Sequence, residues 1–510
     1  MLHKRIYIPV LLLLVMFMGG CKKFLTQDPL AEVAESQFFK SKYDVDASIS
    51  GMYRLFQDVM VGEAQYKDRY HIWGEFRSDN FERFLSYTTT QVTEITLNSV
   101  TPDNEFSSWT GLYNVIYRAN VNIKYAAKAA EFDSRMTKDA IDKALAESYA
   151  MRAMAYFYIV RVWGDAPIWT EPYESLSDSS QRVRESSTKI LDELIIPDLE
   201  KAYSLTLKNQ TPLFHSIGEG AIAALAADVY MWKRDYPNAI KWMQNLFKAK
   251  APTGKVYGGN LITDLQPTAT WKQMFTSPAT SAETIWTLDW SFAASGCACM
   301  SISYTPNNKQ YIIDQDVWNK WFLPYQNTTV LPDIRVRQTH DVWANNRDRF
   351  IKYYASPANP TAAYTFPATP EEIPAYVTMY RLGDMYLLYA EALNGNNDLA
   401  GALKYLNFIR KRAGVAEYLP GDVAVADKTA MEDAILQERQ YELYGEGKRW
   451  FDLVRTNHVQ KVMDPVLKRR QLAGGQDAVG FPDLRKTLWP LNRSVMNANK
   501  KLKQNPSYAD

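Results

Sequence analysis

The chain has 510 residues, 46% apolar and 23% charged, close to globular averages, which argues against disorder, collagen or a polytopic membrane protein. At about 150 residues per domain the length corresponds to about three domain-sized units. Lysine plus arginine number 58 against 57 acidic residues, a net of +1 that speaks against nucleic-acid binding by bulk charge, and three cysteines rule out a disulfide scaffold. The surplus is aromatic, with 14 Trp and 32 Tyr, side chains that fill cores and also make flat contact surfaces.

The first segment reads as an address. Lys4 and Arg5 precede an apolar run from Ile6 to Met18, 13 residues. That is short of the ~20 a spanning helix needs and suits the hydrophobic region of a signal peptide. The run ends Met18-Gly19-Gly20-Cys21. Two small residues before a lone cysteine resemble a bacterial lipobox, which implies cleavage before Cys21 and lipidation of its thiol. Loss of residues 1–20 removes two basic and no acidic residues, taking the net charge to −1. With the only long apolar run gone, the expectation is a soluble domain tethered by lipid; one acyl chain anchors marginally, several anchor well. Cys297-Ala298-Cys299 has no His nearby in sequence, so a loop or a strained local disulfide is favoured over a zinc site.

Residues 21–35 read as an extended tether. Helices are predicted over Tyr43–Gln57, over Phe106–Ala130 with Leu112, Ile116, Ala119 and Ile123 on one face, and over Ala140–Trp163. The last is apolar all round, as in a helix buried between neighbours, and Gly164-Asp165-Ala166-Pro167 stops it. A repeat follows at an offset of 163: Ala227 aligns with Ala390, Ala239 with Ala402, Lys241 with Lys404 and Trp242 with Tyr405. Each copy is a helix, a short Asp-containing turn and a helix opening near a small Ala, which resembles the tetratricopeptide unit. Residues 251–378 are rich in Pro, Gly, Thr, Trp and Tyr, with one short strand expected over Thr284–Leu288. Residues 456–487 read as irregular, and the polar tail from Leu488 to Tyr508 is expected along the surface.

In order along the chain stand Lys22-Lys23-Phe24-Leu25 after the lipobox, Trp73-Gly74-Glu75-Phe76-Arg77-Ser78-Asp79-Asn80, Trp109 to Tyr113, and Arg152 to Pro167. Tyr380 to Ala392, Leu406 to Gly414, Glu438 to Leu453 and Gln504-Asn505-Pro506-Ser507-Tyr508 follow. Together these resemble the SusD/RagB-like family of outer-membrane nutrient-binding lipoproteins. Departures are Trp489-Pro490-Leu491, where the family more often has Pro-Ile-Pro, and Ser507, where it has Gly. The resemblance implies a mainly α fold of tetratricopeptide-like hairpins with an irregular loop and short-strand binding face. The organisation expected is a signal peptide (1–20), a lipidated tether (21–35), an N-terminal helical region (36–250), a loop-rich insert with the ligand face (251–378) and a C-terminal helical region (379–510). The last three form one compact unit. It further implies a non-enzymatic protein on the cell surface, anchored in the outer membrane through lipid alone. Its job would be to capture an oligosaccharide and pass it to a SusC-like TonB-dependent transporter.

Glu438, Glu442 and Glu446 fall at i, i+4 and i+8. A glycosidase needs two carboxyls across a cleft; here Arg439, Lys448 and Arg449 are interleaved, so an ion-pair network is the preferred reading. Gly445-Glu446-Gly447-Lys448 lacks P-loop spacing, and no HExxH or Gly-x-Ser-x-Gly occurs around the scattered histidines. No cofactor is expected; a loop calcium ion would leave no signature here. The aromatic surplus points to sugar binding, since a Trp or Tyr plane covers the apolar face of a pyranose while polar groups bond its rim. Trp290, Tyr304, Trp318 and Trp321 are expected to supply an exposed platform. A second cluster is Asp79, Asn80 and Tyr87. Two other classes stay open, a lipid-anchored scaffold that binds a protein, and a surface glycosidase.

Overall fold

Amphipathic helices pair side by side along the chain. The computed structural model describes residues 35–62, 67–86, 89–174, 180–296, 310–329, 331–356, 359, 361–366 and 375–508. Helix α1 (Lys42–Met60) starts where the Ser41 side chain accepts the Asp44 N–H. It packs on α2 (Thr110–Tyr125), and α2 on α3 (Lys138–Trp163), which Thr137 caps in the same way. α2 is shorter than expected because Glu105–Ser107 and Ala126–Glu131 tighten into 3₁₀ turns at its two ends. Every residue from Ala150 to Trp163 is buried, as an all-round apolar helix requires, and Gly164 ends α3 at φ +79°. α4 (Ile196–Leu205) covers α3 from another side.

The aligned repeat forms two helical hairpins, α5 (Glu219–Trp232) with α6 (Tyr236–Lys248), and α7 (Leu382–Gly395) with α8 (Leu399–Arg412). Both turns use one device. Arg234 and Asn397 take left-handed backbone at φ +58° and +65°, and the next residue, Asp235 or Asp398, caps the following helix. The four aligned alanines are fully buried, letting the paired helices approach. α6 packs directly on α7, so segments 163 residues apart in sequence are neighbours in the stack.

The intervening stretch holds short helices and strands. β1 (Phe81–Arg83) pairs antiparallel with β3 (Tyr311–Ile313), and β2 (Thr284–Trp290) with β4 (Ala375–Arg381). Beyond the second hairpin come α9 (Lys428–Glu442), α10 (Arg449–Arg455) and α11 (Val459–Ala473). α11 corrects the expectation of an irregular 456–487. Pro465 lies inside it, and an internal proline costs about 3 kcal/mol. Val459, Met463, Val466 and Leu467 nevertheless form a buried stripe at helical spacing.

The tail is also corrected. Trp489 and Leu491 are 1% exposed rather than laid on the surface. The Trp489 N–H donates to Val162 O at 2.8 Å, and Asn505 Nδ2 donates to Trp163 O at 3.1 Å. The last carbonyls of α3 have no partners within their own helix, so this strap supplies donors. The N- and C-terminal halves approach closely at Gly74, where a Cβ would stand 1.9 Å from the carbonyl of Gly447, itself at φ +64°. Gly445-Glu446-Gly447 is thus a close-approach turn.

Candidate functional site

The three glutamates of α9 and the turn after it are fixed by partners from distant segments. Arg335 Nη1 meets Glu438 at 2.6 Å and Arg381 Nη1 meets Glu442 at 2.6 Å. Arg381 Nε meets Glu446 at 2.8 Å, and Lys352 and Arg412 complete the group with Glu283. Burial alone would push the Glu442 carboxyl up, but Arg412, Arg381 and Arg335 hold it well below the ordinary carboxylate range. The network predicted from sequence exists with other partners. Arg439 pairs with Asp384 and Asp452, Lys448 with Asp384, and Arg449 with Asp79. Glu438, Glu442 and Glu446 are sealed, with a cation on both oxygens of each, unlike a glycosidase pair, which must face a cleft.

The tryptophans expected to form an exposed platform are core residues, a correction to the sequence reading. Trp318 is 5% exposed and packs edge-on against His340 at 4.9 Å; burial pushes that imidazole down to about 4, so the ring is neutral. Trp321 is 4% exposed, stacks on Tyr441 at 4.6 Å and donates its indole N–H to Asp333, the partner of Arg335. Trp290 ends β2 and is likewise buried. The polar cluster is structural too. Asp79 accepts from Arg449 Nε and Nη2 at 2.8 and 2.9 Å. Asn80 donates to Glu75 and accepts from Gln440. Together they weld the segment after Gly74 to α9 and the turn beyond it. Glu75 is fully buried, which pushes its carboxyl up to about 7 against the hydrogen bonds from Asn80 and Gly445.

Cys21, Tyr87, Tyr304, Cys297 and Cys299 lie outside the described residues. The strands that lead to two of them are described. β1 runs toward Tyr87 and β3 begins after Tyr304; Arg83 pairs with Tyr311, and the Phe84 N–H donates to Gln310 O at 3.0 Å. Two segments more than 200 residues apart in sequence therefore leave the described structure side by side.

A cleft of about 800 Å³ runs along α1, walled by the first half of α3, the segment around His215 and the end of β2. Trp290 borders it, and its indole N–H has no hydrogen-bond partner. Tyr53 and Glu147 face each other in it. The Tyr53 hydroxyl accepts the Ile217 N–H at 2.8 Å, and burial raises the Glu147 carboxyl although Lys143 stands 3.8 Å away. Asp289 is exposed at its edge. Among the described residues no group of three or more His, Cys, Asp or Glu is placed to hold a metal ion, and no helix is long and apolar enough to cross a membrane.

Residues 23–231 match a family described as starch-binding associating with outer membrane, and residues 344–508 match the SusD family. The chain belongs to the SusD/RagB-like family. A SusD-like protein of Formosa agariphila is 26% identical over 99% of both chains, and one of Bacteroides ovatus is 23% identical over 86% of this chain and 80% of the other. A solved SusD superfamily protein of Bacteroides vulgatus superposes with a TM-score of 0.71 at 17% identity, covering 92% of this chain and 99% of the other. A second structure from that organism, described as a putative sugar binding protein, gives 0.68 at 20% identity over 92% and 100%. The SusD/RagB-like helical stack is thus shared over nearly the full length. The cleft residues Tyr53, Glu147 and Asp289 were missed by sequence reasoning. Their only signal is weak: Ile49, Tyr53 and Gln57 repeat every four residues on α1.

Proposed function

We propose that this SusD/RagB-like protein is a nutrient-binding lipoprotein of the cell surface. Lipid on Cys21 anchors it in the outer membrane, its loop face captures an oligosaccharide, and the ligand passes to a partner TonB-dependent transporter without a cofactor. The observation that carries the reading is the match of both halves of the chain to SusD models, the first described as starch-binding and associated with the outer membrane. The fold shared with a putative sugar binding protein of B. vulgatus supports the ligand class. The sealed state of Glu438, Glu442 and Glu446 supports binding without turnover.

The contacts proposed are Tyr87 and Tyr304, which in sequence follow β1 and precede β3, together with Arg83 of β1. Two ring planes and a guanidinium suit the apolar face and hydroxyl rim of a sugar. The test is calorimetric titration with a panel of oligosaccharides. At least one should bind, and Tyr87→Ala with Tyr304→Ala together should weaken it more than tenfold. Binding of none, with capture of a protein instead, would favour the scaffold.

A further inference from the structure

Among the described residues, Tyr43 and Phe132 are the only Phe, Tyr or Trp side chains more than half exposed, at 70% and 67%. The turns that carry them are tied together. The Lys42 N–H donates to Asp133 Oδ2 at 2.9 Å, which ties the first turn of α1 to the turn after α2. Arg135 is held by Asp133 at 2.8 Å and lays its guanidinium 4.6 Å over the Tyr43 ring. The same end of the molecule holds a small core, built from Phe39, Val45, Tyr125 and Met136 and separate from the main one. The two rings therefore project from turns that are tied to each other, at the end of the molecule where the described chain begins.

We propose that this aromatic pair rests on the lipid surface of the outer membrane, its rings set into the headgroup boundary. The proposal rests on the lipoprotein reading of Cys21. From Cys21 to Glu35 the chain advances 14 residues, at most about 50 Å when extended. The lipid thus holds this end of the molecule near the bilayer, within reach of the rings. Tyr presents an apolar body with a polar tip, the combination enriched at membrane interfaces. A protein partner fits less well, because a stable protein interface buries about 800 Å² per side and two protruding rings supply far less. The flanking cations are neutralised nearby, as Arg135 is by Asp133 and Lys138 by Asp142. The attraction is therefore interfacial, with little dependence on salt. The consequence is a two-point attachment, lipid and ring pair, that fixes which face of the protein turns outward.

The test uses the whole mature polypeptide carrying Cys21→Ser, so that no lipid is attached, floated with vesicles of equimolar phosphatidylethanolamine and phosphatidylglycerol. The chain should co-float, added salt should change this little, and Tyr43→Ser and Phe132→Ser should each lower the partition about tenfold. Both side chains are exposed, so unchanged thermal unfolding midpoints would confirm that the variants fold. Failure to co-float, or equal flotation of the double variant, would overturn the proposal. So would a double variant that floats normally but no longer captures a membrane protein, which would assign the patch to a protein contact. The mass of the native amino terminus tests the lipid on Cys21 separately, so the two failures can be told apart.

Discussion

Glu438, Glu442 and Glu446 meet Arg335, Arg381 and Lys352 in a region with side-chain exposures of 0–3%, whereas Lys42–Asp46 and Lys138–Asp142 pair in the open on α1 and α3. Both are carboxylate–cation pairs and the contacts are comparably short. What differs is water. At the exposed pairs the solvent screens the attraction, and such contacts contribute ~0–1 kcal/mol. In the buried group desolvation has already been imposed on every charge, so removing one partner strands another. The group also joins four segments, since Arg335 comes from the loop-rich stretch, Arg381 from the end of β4, Arg412 from the end of α8 and the glutamates from α9 and its turn. It clamps the irregular region onto the helical stack, whereas the surface pairs only decorate helix ends.

The largest effect should come from breaking the clamp. Arg381→Met leaves Glu446 without its main cation and Glu442 without one of its three, and should destabilise the fold by about 3–5 kcal/mol in chemical denaturation; a loss under about 1 kcal/mol would place the buried group on a par with the surface pairs. Next comes Glu75, whose carboxyl is raised from 4.5 to about 7 by burial. The folded state holds the proton more tightly than the unfolded one, so this favourable contribution is complete below pH 4.5 and is lost as pH rises through about 7. Relative to wild type, Glu75→Gln should be more stable at pH 8, by about 3 kcal/mol at most, with the gap closing toward pH 4.5. A gap independent of pH would contradict the raised value. Cap removal gives a smaller effect. Asp235→Ala and Asp398→Ala should each cost about 1 kcal/mol, and nearly equally, because the two hairpin turns are built alike. Smallest is Lys138→Ala, within about 0.5 kcal/mol and further reduced by salt.

Local signals were read well from the sequence. Gly164 stops α3, the alanines align in two hairpins, and β2 falls where its β-branched and aromatic run lies. The failures were long-range or concealed. Pro465 hid the buried stripe of α11. The partners of Glu438 could not be found because Arg335 lies 103 residues away, while Arg439 next door points to Asp384 and Asp452. The burial of Trp318 and Trp321 did have a trace. With Phe322 they stand at i, i+3 and i+4, the spacing of a helix face turned to a core, masked by the turn-rich composition around them. Asp79 and Asn80 were picked for their polarity, which serves to join the two halves of the chain.

The central claim, nutrient capture in partnership with a transporter, is tested most directly by mild-detergent purification of the tagged, lipidated protein from its native outer membrane, with co-purifying proteins identified by mass. The account predicts a large TonB-dependent barrel in near-equal amount. Recovery of the protein without such a barrel, or with a periplasmic assembly factor in its place, would contradict it.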